Sequence, residues 1–115
     1  YRTVLGIFMK QKSDNLPLTI TNDGNQKRDF TYVGDVVNAN ILASLSKNEF
    51  YGEVFNIGSG TNYTINEIST MFNHRVEYIG NVLEPKETLS DYTKAKTLLG
   101  WEPKVSLKNW LIKNI

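Results

Sequence analysis

The chain has no cysteine, and that excludes a disulfide framework, a thiolate metal site and a cysteine nucleophile. It has one histidine, His74, so a Ser-His-acid triad or a histidine metal cluster would rest on a single residue. His74 lies between Asn73 and Arg75 at a predicted helix end, where an exposed, non-catalytic position is expected. No apolar run approaches a membrane span. Charge of one sign is also missing. Thirteen basic and twelve acidic residues leave a net charge of +1, without the clustered Lys/Arg footprint of a nucleic-acid binder. The lysines at 10, 12, 94, 96, 104, 108 and 113 read as solvated helix faces. No G-x-G-x-x-G and no Gly-Lys-Ser/Thr phosphate loop is present. Gly58-Ser59-Gly60 comes nearest, but the third glycine position holds Tyr63, so the block reads as a turn.

What is present is a 115-residue chain that is 40% hydrophobic, enough for one small domain with a real core. Val4 to Met9 reads as helix, ending near Ser13 and stopped before Pro17. Leu18 to Thr21 alternates as a short strand does. Asp23-Gly24 signals a tight turn. Phe30 to Val33 is aromatic and β-branched and predicts a strand, and Asp35 stands as the expected N-cap of a helix reaching about Leu45. Val54 to Ile57 predicts a further strand. Thr64 and Glu67 form a capping box ahead of a helix whose Ile65, Ile68 and Phe72 share a face. A strand over 75–79 follows, then a loop through Pro85. A helix from about Tyr92 to Leu99 closes on Gly100, and a last helix is capped by Ser106. Trp101 and Trp110 read as packing residues, and Asp91 as a helix cap. Strands alternating with helices imply an α/β class with short strands and packed helices.

Three blocks, in order, carry a resemblance. The first is Asp23-Gly24-Asn25-Gln26-Lys27-Arg28-Asp29-Phe30-Thr31-Tyr32-Val33-Gly34-Asp35-Val36. The second is Gly52-Glu53-Val54-Phe55-Asn56-Ile57-Gly58-Ser59-Gly60. The third runs from Thr88-Leu89-Ser90-Asp91 through Thr93-Lys94-Ala95-Lys96 to Leu98-Leu99-Gly100-Trp101-Glu102-Pro103. Together they resemble the NAD-dependent epimerase/dehydratase family, the extended short-chain dehydrogenases that act on nucleotide sugars, and most resemble its UDP-glucose 4-epimerases. The likeness extends over nearly the whole chain, from about Pro17 to Leu107.

The resemblance implies the C-terminal, substrate-binding portion of an extended Rossmann-type enzyme, spanning 1–115. In that family a tyrosine of a Tyr-x-x-x-Lys pair acts as base on a sugar hydroxyl while NAD takes hydride. Of the six tyrosines here only Tyr92 has a lysine four residues on, Lys96, and that pair falls in the third block, away from the family's catalytic helix. No catalytic or cofactor-binding residue is therefore expected on this chain, and NAD is expected on a preceding half that it does not contain. The chain begins at Tyr1 rather than methionine, as such a fragment would. Its apolar surface is then expected to be partly unburied when it stands alone. The implied partner is a nucleotide sugar of the UDP type, the implied parent a cytoplasmic homodimer.

Four residues are the expected substrate contacts. Arg28 matches the family's pyrophosphate-binding arginine, for which a fork of N–H donors is suited; a salt bridge to Asp29 or Asp35 is the alternative. Glu84 lies seven residues before Asp91, the family's spacing for an acid that accepts from ribose hydroxyls; a solvated loop acid is the alternative. Asn81 stands where many relatives place a second phosphate-binding arginine, and supplies only neutral donors. Thr21 matches the strand bordering the base; an ordinary edge strand is the alternative. A non-catalytic sugar-nucleotide-binding or protein-interaction module is the other reading of the whole chain.

Overall fold

Leu18 and Ile20 are buried on one face of a three-residue strand while Thr19 lies on the other, the period-two pattern of a half-covered sheet. In the computed structural model, which describes residues 3–115, this strand is the second element of a mixed α/β chain. Tyr1 lies outside the described residues. The elements are α1 (Val4–Ser13), β1 (Leu18–Ile20), β2 (Lys27–Asp29), α2 (Val33–Leu45), β3 (Asn62–Thr64), α3 (Ile65–Phe72), β4 (Val76–Tyr78), α4 (Thr93–Leu99) and α5 (Leu107–Asn114). The chain divides into two compact units.

The first unit holds the residues up to Arg28, Tyr63–Thr88 and Leu111–Ile115. In it β1 pairs in parallel with β4, with Leu18 opposite Val76, Thr19 opposite Glu77 and Ile20 opposite Tyr78. Phe8, Leu18, Ile20, Ile68, Phe72 and Leu111 are essentially inaccessible and form its core. The Phe8 and Phe72 rings meet edge to face at 5.5 Å. Helix α3 starts where the capping box predicts: Thr64 Oγ1 accepts from the Glu67 N–H at 3.0 Å, and the Glu67 carboxylate accepts from the Thr64 N–H at 2.7 Å. The Asp23-Gly24 turn holds Gly24 at φ +76°, and a Cβ there would lie 2.1 Å from the Asn66 carboxamide oxygen, so the position requires glycine twice over. His74 is half-buried rather than exposed, its Nε2 lying 2.9 Å from the Leu16 carbonyl.

The second unit holds Asp29–Asn62 and Leu89–Trp110. Ala39, Ala95 and Trp101 are buried at its centre, with Leu42, Phe55, Ile57, Tyr92 and Leu99 packed around them. The indole N–H of Trp101 donates to the Asp35 carbonyl at 2.8 Å. Helix α4 closes on Gly100 in the left-handed conformation, as expected, and Ser106 Oγ accepts from the Asn109 N–H at 3.2 Å to cap α5. Helix α2 leaves Val33, Val37, Ile41 and Leu45 exposed at four-residue spacing, in keeping with the expected unburied apolar surface.

Three local expectations fail. The strand placed at Phe30–Val33 lies instead at Lys27–Asp29, because β2 hydrogen-bonds to β3, and an isolated bridge adds to it: the Lys27 N–H donates to the Lys86 carbonyl at 2.8 Å and its carbonyl accepts from the Thr88 N–H at 3.1 Å. Val33 already belongs to α2, whose N-cap is Tyr32, so Asp35 is the third residue of the helix, within its first turn. Its buried carboxylate is not a cap. It accepts from the Lys104 and Val105 N–H groups at 3.0 and 3.1 Å, pinning that segment to α2. Residues 54–57 form no strand; Phe55 packs into the Trp101 cluster while Val54 points to solvent.

Candidate functional site

Arg28 is the middle residue of β2, and Gln26 lies just ahead of that strand. Both reach Glu84, which the loop after β4 carries. Arg28 Nη2 donates to Glu84 Oε2 at 2.8 Å, and Arg28 Nη1 to the Lys27 carbonyl at 2.7 Å. The pair is about one-fifth to one-quarter exposed, wet enough to exchange partners and dry enough for the charges to matter. Arg28 thus pairs with an acid, as the structural alternative held, but the acid is Glu84 rather than Asp29 or Asp35.

Glu84 is not a solvated loop acid. Its Oε1 accepts from Thr21 Oγ1 at 3.1 Å, Asn22 Nδ2 at 2.6 Å and Gln26 Nε2 at 3.0 Å. Three of the four residues singled out from the sequence, Thr21, Arg28 and Glu84, are therefore joined in one network. The fourth, Asn81, is exposed, and with Asn22, Gln26 and Glu84 it lines a cavity of about 500 Å³ that runs along the 81–86 loop. Asn22 and Gln26 were not anticipated. No local signal marks them, since both lie outside the strands and meet Glu84 only through the fold. Asn22 holds a left-handed φ of +54° and accepts from the Val82 N–H through Oδ1 at 3.1 Å, which orients its amide toward Glu84. The arrangement offers a cation, a fixed carboxylate and neutral amides beside a cleft. It can hold a polar, anionic ligand.

Other candidates resolve into structure. In the second unit the Ser59 and Gly60 N–H groups donate to the Asp29 carboxylate at 2.9 and 3.0 Å, as does the Ser90 N–H at 3.0 Å. The 58–60 turn therefore already holds an anion of the chain's own, and a dinucleotide pyrophosphate does not fit there. Tyr92 packs edge to face on Trp101 at 5.6 Å, and Lys96 pairs with Glu102 at 3.6 Å, so these two side chains do not act together as a proton-transfer pair. Asp91 Oδ1 accepts from the Thr93 hydroxyl and N–H, which hold its carboxyl below the usual range; it lies one residue ahead of Tyr92, the N-cap of α4, and is not itself the cap. Among the described residues no group of three or more His, Cys, Asp and Glu side chains is placed to hold a metal ion, and no helix is long and apolar enough to cross a membrane.

Residues 2–58 match the model of the NAD dependent epimerase/dehydratase family. UDP-glucuronic acid decarboxylase 2 of Arabidopsis thaliana is 36% identical over 115 residues, covering 94% of this chain and 25% of that protein. The structure of a Bacillus cereus UDP-glucuronic acid 4-epimerase in complex with UDP-glucuronic acid and NAD superposes with a TM-score of 0.89 at 36% identity, covering 96% of this chain and 37% of that one. A Thermotoga maritima UDP-glucose 4-epimerase with UDP-glucose gives 0.85 at 37% identity, covering 95% and 37%. The chain spans between 25% and 39% of the length of the curated relatives it matches first. Its α/β fold is that of the corresponding portion of these extended Rossmann-type enzymes.

Proposed function

We propose, from the premise that this chain belongs to the NAD-dependent epimerase/dehydratase family, that it forms the part that grips the nucleotide of a UDP-sugar. The observation carrying this reading is the Arg28–Glu84 pair, set in a side-chain network beside a cleft. A guanidinium there compensates a diphosphate. A carboxylate beside it accepts from sugar hydroxyls, and Asn81 and Thr21 add neutral contacts along the same wall. The relatives named above, which act on or hold UDP-glucuronic acid and UDP-glucose, support uridine as the nucleoside.

Turnover is proposed to need more than these residues. The Bacillus cereus structure holds NAD. Here the glycine turn that most resembles a cofactor loop is occupied by Asp29, and among the described residues the one tyrosine with a lysine four residues on, Tyr92, packs on Trp101. Epimerisation, dehydration and decarboxylation of the sugar are equally served by a nucleotide grip of this kind. The neutral Asn81, in a position where resemblance calls for a cation, favours one second reading, a module that senses nucleotide sugars without transforming them.

Calorimetric titration of UDP into the chain tests the proposal. Arg28→Ala is expected to weaken binding by about tenfold or more, the value of one charge-assisted contact. Unchanged affinity would reject the role of Arg28.

A further inference from the structure

We propose that Gln26 is a positioning residue that aims the Glu84 carboxylate, and that it sets how strongly the site senses the ribose diol. This rests on the nucleotide reading above. Gln26 is 7% exposed, and its backbone carbonyl accepts from the Ile65 N–H at 3.1 Å, so it is anchored to the start of α3. Its Nε2 donates to two acceptors, the Thr21 carbonyl at 3.0 Å and Glu84 Oε1 at 3.0 Å. Those two bonds fix the amide, because a flipped amide would set its oxygen against both acceptors. The remaining atom, Oε1, is buried without a hydrogen-bond partner, alone in this among the buried side-chain polar atoms of the described residues.

Such an orphan is costly, and folded proteins remove most of them. An apolar side chain of the same volume would carry no orphan. Glutamine instead gives Glu84 a donor that is rigid and uncharged. The distinction matters at this carboxylate. A second cation on Oε1 would compete with Arg28 and dilute the negative charge. A neutral amide holds Oε1 in place and leaves Oε2 to face Arg28. Thr21 and Asn22 also donate to Oε1, but the Thr21 hydroxyl can turn away, and Asn22, which the Val82 N–H orients, is less buried than Gln26. Gln26 is the donor whose geometry the buried chain fixes from both ends.

The test compares UDP with 2′,3′-dideoxy-UDP, which lacks both ribose hydroxyls. The unsubstituted chain is expected to prefer UDP by about tenfold, the value of hydrogen bonds to a charged acceptor. Gln26→Met, with its fold checked by melting temperature, is expected to bring the two ligands to similar affinity, with the loss falling on UDP. A residue with a merely structural role would weaken both ligands alike. A preference retained in Gln26→Met overturns the positioning role while leaving the nucleotide reading intact. A chain that binds neither ligand overturns the nucleotide reading and this inference with it; a chain that binds both equally overturns this inference alone. Where Gln26→Met does not fold, the side-chain amide protons of Gln26 are followed by NMR in the unsubstituted chain. They are expected to shift with UDP and not with the dideoxy analogue; equal shifts reject the proposal.

Discussion

Glu84 in the first unit and Asp29 in the second are both partly buried carboxylates, each bound by several donors, and they differ in what those donors are. Asp29 accepts from three backbone N–H groups, those of Ser59, Gly60 and Ser90, and from the Ser59 hydroxyl. Glu84 accepts from four side chains, Thr21, Asn22, Gln26 and Arg28. A backbone N–H cannot turn away without moving the chain, so Asp29 joins two loops and is not available to a ligand. Side chains rotate, so the Glu84 network can exchange partners. Two acids that look alike in the sequence thus divide into a structural and an exchangeable one by the donors their surroundings supply.

The comparison breaks most decisively at Asp29. Asp29→Ala strands three N–H groups and is expected to cost about 4 kcal/mol, read as a lowered urea midpoint with faster amide exchange at Ser59, Gly60 and Ser90. Gly58→Ala strikes the same junction from the other side. A Cβ at Gly58 would stand 2.2 Å from the Cβ of Ser90, and overpacking of this kind costs about 2 kcal/mol in the same measurement. Glu84→Ala is expected to cost only about 1 kcal/mol, since Thr21, Asn22 and Arg28 are partly exposed and can turn to water, while the buried Gln26 keeps its bond to the Thr21 carbonyl. A loss as large as that of Asp29→Ala would erase the distinction drawn between the two acids.

The smallest effect is a pH dependence at Asp91. The Thr93 hydroxyl and N–H hold its carboxyl below the ordinary value of 3.8. A depressed acid adds stability that is present above its unfolded value and is lost as pH falls through the folded one. Melting temperature measured downward from pH 5 is expected to fall slightly less steeply in Asp91→Asn than in the unsubstituted chain.

Much of this was legible from residues alone. The capping box at Thr64 and Glu67, the Gly24 turn and the Gly100 stop are local devices, and local sequence reads them. The buried face of α3 followed from the spacing of Ile65, Ile68 and Phe72. What failed depended on partners far along the chain. Lys27 is in a strand because β3 pairs with β2 and residues 86 and 88 add a bridge to it, and Phe30–Val33 is not, whatever its β propensity. Asp35 resembles a cap until Lys104 and Val105 arrive as its partners. The meeting of Arg28 with Glu84 across 56 residues belongs to the same class. The family spacing marked both residues but gave no sign that they touch.

Both tryptophans, Trp101 and Trp110, lie in the second unit. Indole emission from this protein is therefore a local witness. Trp101, sealed against Tyr92, should redden when the second unit melts, while the first unit can come apart in silence. Far-ultraviolet dichroism, which registers α1 and α3 as well, supplies the missing half of the record. Coincident curves would mean the two units melt as one cooperative body, and separated curves would give each its own midpoint.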